Sequence, residues 1–120
     1  MPNQYVTSAD VKTFEGKSLI SVTVGIATAI LQFDEGLSIT VQHGFEYRDG
    51  RFWIKCEGGW PNIVIYLLNI LNDVVLTASL NEDYGMSLEF QSGKWIVISS
   101  SGTGYESYVL NGEAGPIPVY

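Results

Sequence analysis

One cysteine, one histidine and six basic residues are all that this 120-residue chain holds of those types. Cys56 has no internal partner, so the disulfide-framed secreted scaffolds are excluded. A zinc site of the usual Cys/His kinds fails on count. A Ser-His-Asp or Cys-His arrangement would have to use His43 as its base. His43 falls in the apolar register of a strand and reads as a core or rim histidine. Cys56, also on an apolar face, reads as a small hydrophobe. An enzyme is therefore not expected, and no cofactor or metal is implied. The longest apolar run, Ile63 to Leu71, is too short to span a bilayer as a helix, so no membrane partner is expected. Met-Pro-Asn-Gln at the start has no basic segment leading into an apolar one, so no signal peptide is expected and the cytoplasm is the default.

What is abundant is acid, glycine and apolar surface. Thirteen acidic residues against six basic ones leave a net charge of −7. Such a surface repels nucleic acid and steers association toward basic partners. Apolar residues make up 46% and charged residues 16%, which describes an ordered chain. The length fits a single domain over 1–120.

The pattern along the chain is that of antiparallel sheet. From Leu37 to Arg48 the apolar residues Leu37, Ile39, Val41, Phe45 and Tyr47 alternate with polar ones, as in a strand with one buried face. Asp49-Gly50 predicts a two-residue turn into a return strand carrying Phe52, Ile54 and Cys56 on one face. Leu19 to Phe33 is strand-like, with a shift of apolar parity that predicts a bulge or break near Gly25. Asp34-Glu35-Gly36 predicts a tight hairpin loop. Pro61 and the spacing of Ile63, Leu67, Ile70 and Leu71 favour one short helix over about 62–71, with a buried strand as the alternative. Val74 to Leu80, Met86 to Gln91, Lys94 to Ser99 and Tyr105 to Leu110 predict further strands, and Pro116 and Pro118 confine the tail to a sheet edge or an irregular extension.

Part of this pattern repeats. Leu31, Phe33, Gly36, Ile39 and Val41 match Leu88, Phe90, Gly93, Ile96 and Ile98 at a constant offset of 57. Phe45-Glu46 then answers Tyr105-Glu106, and Asp49-Gly50 answers Asn111-Gly112. The expected fold is α+β, mainly antiparallel, with eight to ten strands. It is expected to comprise two related β-hairpin halves, about 19–56 and 74–112, with one helix.

Carboxylates are the remaining chemistry. Gly102-Thr103-Gly104 lacks the Lys-Ser/Thr and the helix of a phosphate loop. Asp34-Glu35 and Glu82-Asp83 lack the spacing of a calcium loop. Glu46 and Glu106 each follow an aromatic residue and fall in matching places of the repeat. A glycosidase would need two such groups about 5–10 Å apart in a cleft, whereas turn capping or pairing with Arg48, Arg51 or Lys94 is the ordinary role.

Leu88-x-Phe90-x-x-Gly93-x-x-Ile96-x-Ile98, followed by Tyr105-Glu106-Ser107-Tyr108-Val109-Leu110-Asn111-Gly112, resembles a loosely defined set of small bacterial β-rich proteins of unknown function. Some of these look like immunity proteins encoded beside contact-dependent or other polymorphic toxins. Tyr108 stands where a tryptophan is usual in that set. The resemblance implies a stoichiometric cytoplasmic inhibitor that neutralises a toxin domain, and the acidic charge suits a basic nuclease. The other reading of the same residues is a non-catalytic module for a small ligand or a protein. The expected partner-binding surface combines turn acids with aromatics: Asp34, Glu35, Glu82, Asp83, Tyr84, Glu106 and Tyr108.

Overall fold

The computed structural model describes residues 6–25, 28–42, 44–56, 64–100, 107–112 and 115–120. His43, Glu106, the 102–104 loop and the start of the expected helix lie outside that set. The fold is mainly antiparallel β, in two five-stranded sheets. The first contains β1 (Leu19–Val24), β2 (Ala29–Phe33), β3 (Ser38–Val41), β9 (Tyr108–Gly112) and β10 (Gly115–Val119) in the order β1-β2-β3-β9-β10. The second contains β4 (Phe45–Asp49), β5 (Phe52–Cys56), β6 (Val75–Leu80), β7 (Met86–Phe90) and β8 (Trp95–Ile98) in the order β5-β4-β8-β7-β6.

Two short helices precede the two three-stranded meanders: α1 (Ser8–Lys12) before β1 and α2 (Val64–Leu68) before β6. α2 is shorter than the helix expected over 62–71. α1 was not expected, although Thr7-x-x-Asp10 carries a capping box. Thr7 Oγ1 accepts from the Asp10 N–H at 3.2 Å, and the Thr7 N–H donates to the Asp10 carboxylate at 2.8 Å. That closes two of the unpaired donors of a helix start.

The alternating run from Leu37 to Arg48 is not one strand. It divides into β3 and β4, which lie in different sheets. The alternation survives the crossing because both sheets point inward at one core. Ile39 and Val41 enter that core from the first sheet, Phe45 and Tyr47 from the second. Each meander thus donates its following hairpin to the opposite sheet. β4 pairs with β8, and β9 pairs with β3.

The sheets also meet along one seam. Gly16 and Leu19 donate to the carbonyls of Val75 and Asp73 at 2.8 and 3.0 Å, and Asn72 and Val75 donate to those of Leu19 and Lys17 at 2.8 and 2.9 Å.

Turn chemistry accounts for the remaining boundaries. The β4–β5 loop is Gly50-Arg51, one residue later than expected, because Asp49 pairs with Phe52. Gly50 has φ +63° and Arg51 does not share the positive sign, so glycine takes the first central position that a type II′ hairpin reserves for it. The chain breaks at Gly25 as the parity shift implied. A further irregularity separates Leu19 from Ser21 in the ladder with β2. Phe52, expected inside with Ile54, is 47% exposed. β10 is an edge strand, in keeping with Pro116 and Pro118.

Candidate functional site

The acidic turns lie at different places. Asp34–Gly36 forms one 3-10 turn between β2 and β3, with Glu35 at φ 61° and Gly36 at φ 77°. The Asp34 carboxylate accepts the Ser18 N–H at 3.0 Å, which holds the turn against the seam. Glu35 is exposed, and its carboxylate lies 3.8 Å from Lys17 Nζ. Glu82, Asp83 and Tyr84 sit on the exposed β6–β7 turn, where Asp83 accepts the Gly85 N–H at 2.9 Å. Tyr84 takes φ 67° and is 46% exposed.

Tyr108 leaves the candidate surface: it is fully buried. Its hydroxyl donates to the Tyr84 carbonyl at 2.7 Å, and burial raises its pKa well above the ordinary tyrosine value. It therefore anchors the Tyr84 turn from inside. The Asp34–Gly36 turn stands by the other end of β9, where Ser38 pairs with Asn111. The structure does not bring the two acidic turns together.

Glu46 is half-buried and bound to Arg48, Oε2 to guanidinium at 2.8 Å, the ordinary role set against a catalytic one. Across the ladder Glu46 faces Val97 of β8, and Glu106 lies outside the described residues. Among the described residues no group of three or more His, Cys, Asp or Glu is placed to hold a metal ion. No helix is long and apolar enough to cross a membrane among those residues.

A cleft of about 430 Å³ opens between α1 with the chain that follows it, the Asp34–Gly36 turn and the β9–β10 hairpin. Its floor is apolar: Phe14, Leu37, Leu110 and Ile117. Phe14 is fixed edge-on to Phe33, with ring centroids 5.2 Å apart. Its rim is polar: Asp10, Thr13, Lys17, Glu35 and Asn111. The rim carboxylates already have partners. Asp10 is taken up by Thr7 in the capping box, and Glu35 faces Lys17. Gly115 also lines the cleft, at φ +87°, and a Cβ built there would meet nothing within 4 Å. Of the described residues expected from sequence, Glu35 alone borders this cleft. The others come from segments far apart in the chain, and no local pattern marks them.

In the second sheet, rings gather between α2 and the β4–β5 hairpin. Tyr66, Phe52 and Tyr47 meet there. Tyr66 lies with its ring centroid 5.5 Å from each of the other two, and these are 6.2 Å from one another.

Comparison with known proteins finds no matching family model, no matching curated protein and no matching solved structure.

Proposed function

We propose that this chain is a non-catalytic binding protein built from two related halves, and that it acts as a stoichiometric inhibitor of a basic toxin domain. The observation that carries the binding role is the open cleft: an apolar floor rimmed by carboxylates that are already partnered. Such a site suits recognition better than proton transfer, since a general acid or base must be free to reach the reacting group. The net charge of −7 adds steering toward a basic partner. The toxin assignment rests on the resemblance of the β7–β8 and β9 sequences to a set of small bacterial β-rich proteins of unknown function, some of which look like immunity proteins.

The reading of two halves is supported by register. Leu31 pairs with Ile39 as Leu88 pairs with Ile96, and both residues of the pair lie 57 positions on. The irregularity between Leu19 and Ser21 is matched by one between Val75 and Thr77. α1 and α2 stand 56 positions apart, and each is followed by a left-handed residue, Gly16 at φ 82° and Asn72 at φ 68°. Phe45 pairs with Ile98 and Cys56 as Tyr108 pairs with Val41 and Val119. The seam is then the axis that relates the halves, since its hydrogen bonds come in exchanged pairs.

The test is to read the genes flanking this one for a toxin domain and to co-express the chain with that domain. The expected outcome is restored growth and a one-to-one complex whose association slows as salt rises. Toxicity undiminished, with no complex formed by the purified proteins, overturns the inhibitor reading.

A further inference from the structure

The two halves differ in one respect that bears on recognition. Between α2 and β4–β5 the molecule fills the space with its own rings, Tyr66 and Phe52 stacked near Tyr47. By strand order and register, the positions answering Tyr66, Phe52 and Tyr47 in the other half are Asp10, Gly115 and Leu110. Those three residues bring no ring, and among the described residues a cleft of about 430 Å³ lies there. The positive φ of Gly115 keeps a side chain from being supplied by the chain itself. The floor is apolar, with Phe14, Leu37, Leu110 and Ile117, so the cleft is an open apolar socket. We infer that this cleft takes an aromatic side chain carried on a basic segment of a partner protein.

Two observations choose that occupant. The filled half shows what packs between such a helix and such a hairpin: rings, in tilted contact at 5.5 Å. Rings in well-packed pockets are also the commonest anchors of protein interfaces. Charge selects the surroundings of the ring. Among the described residues the rim carries the acids Asp10 and Glu35 and the base Lys17, on a chain of net charge −7. Cationic residues flanking the ring therefore meet complementary charge, and acidic ones are repelled. The cleft falls within the range of small-molecule pockets, about 300–1,000 Å³, so it has room for a ring. The inference rests on the inhibitor reading only for the identity of the protein that bears the segment.

The test uses the full chain and the probe peptide acetyl-Lys-Tyr-Lys-amide, titrated while protein NMR signals are followed. Saturable shifts are expected at Phe14, Leu37, Leu110 and Ile117. Thr13 is exposed on the rim, and Thr13→Trp should fill the cleft from within, weakening the peptide about tenfold or more. Glu35→Lys should weaken it several-fold, without loss of melting temperature. Acetyl-Lys-Leu-Lys-amide and acetyl-Glu-Tyr-Glu-amide should each bind more weakly than the probe. Equal binding by the leucine peptide, shifts confined to other surfaces, or no saturation by about 10 mM peptide overturns the inference. With the toxin domain, protection by wild type but not by Thr13→Trp supports the cleft as the docking point. Equal protection by both overturns that role while the inhibitor reading stands. Failure of wild type to protect counts against the inhibitor reading alone, and the peptide titration then decides the cleft.

Discussion

Glu15 closes a gap that the fold leaves at the outer side of β6. Its carboxylate accepts the Ala78 N–H at 2.9 Å and lies 3.6 Å from Lys12 Nζ. The backbone donor, then the lysine charge, hold the Glu15 carboxyl below the usual glutamate range, with partial burial acting in the opposite sense. A carboxyl whose pKa is lowered in the folded state contributes stability above its unfolded value, and that contribution is lost as pH falls through the lowered value. Glu15→Gln should therefore destabilise the protein near neutral pH and flatten the loss of stability on acidification below the ordinary glutamate pKa. Urea melts of the two proteins from neutral pH to pH about 3 measure this. Parallel curves for wild type and variant would remove Glu15 from the account. Tyr108 shows the same economy with a neutral group. Its ring is buried in the core, and its hydroxyl satisfies the carbonyl of a left-handed turn residue, so one side chain serves two elements.

Elements here are held by facing the core rather than by their own length. The helices have five residues each, far below what is stable in isolation, and persist through packing: Val11 of α1 and Leu67 of α2 are both buried. The strands have four to six residues and depend on their alternate inward residues. Ile39 on β3 is fully buried between Leu31 and Leu110 on the neighbouring strands. Ile39→Ala should cost about 2–5 kcal/mol. Thr40→Ala, on the outward parity of the same strand, should cost well under half of that. Chemical denaturation of the pair reads the difference, and equal losses would mean that the strand is not anchored by its inner face. The edges are unlike one another: β10 carries Pro116 and Pro118, which remove donors, while β5 presents exposed Trp53, 60% accessible.

At the scale of the whole molecule the controlling feature is exchange. Each three-stranded meander surrenders the hairpin that follows it, so neither sheet is complete within one half of the chain. The ladders β3–β9 and β4–β8 and the seam at Ser18 and Val74 all join residues from opposite halves. Residues 1–60 and 61–120 expressed as separate chains should therefore assemble into a one-to-one complex with the far-ultraviolet spectrum of the intact protein. Analytical ultracentrifugation of the mixed halves is the check. Two folded, non-associating monomers would contradict an architecture that depends on exchanged strands.

Local physics accounts for what was legible before any coordinates. Period-two alternation marks a strand with one buried face wherever that face points, so the inward residues Ile39, Val41, Phe45 and Tyr47 could be read directly. Gly36, Gly50 and Gly93 marked turns because positive φ is cheap only for glycine. The echo at offset 57 marked the β2–β3 and β7–β8 hairpins. Alternation carries no label for which sheet a strand joins. The step from β3 to β4 was therefore invisible, and with it the exchange that pairs Phe45 with Ile98 and Tyr108 with Val41. Tyr108 looked like a surface aromatic because a lone tyrosine in a strand has no sequence mark of the Tyr84 carbonyl that receives its hydroxyl. The cleft was the least legible feature of all. Asp10, Glu35, Leu110 and Gly115 meet only when α1, the Asp34–Gly36 turn and the β9–β10 hairpin are brought together. Alternation, turns and charge are properties of neighbours along the chain, and the sequence by itself determined them. The company that each strand keeps, and the space left between elements, depend on long-range pairing, and only the tertiary structure decided those.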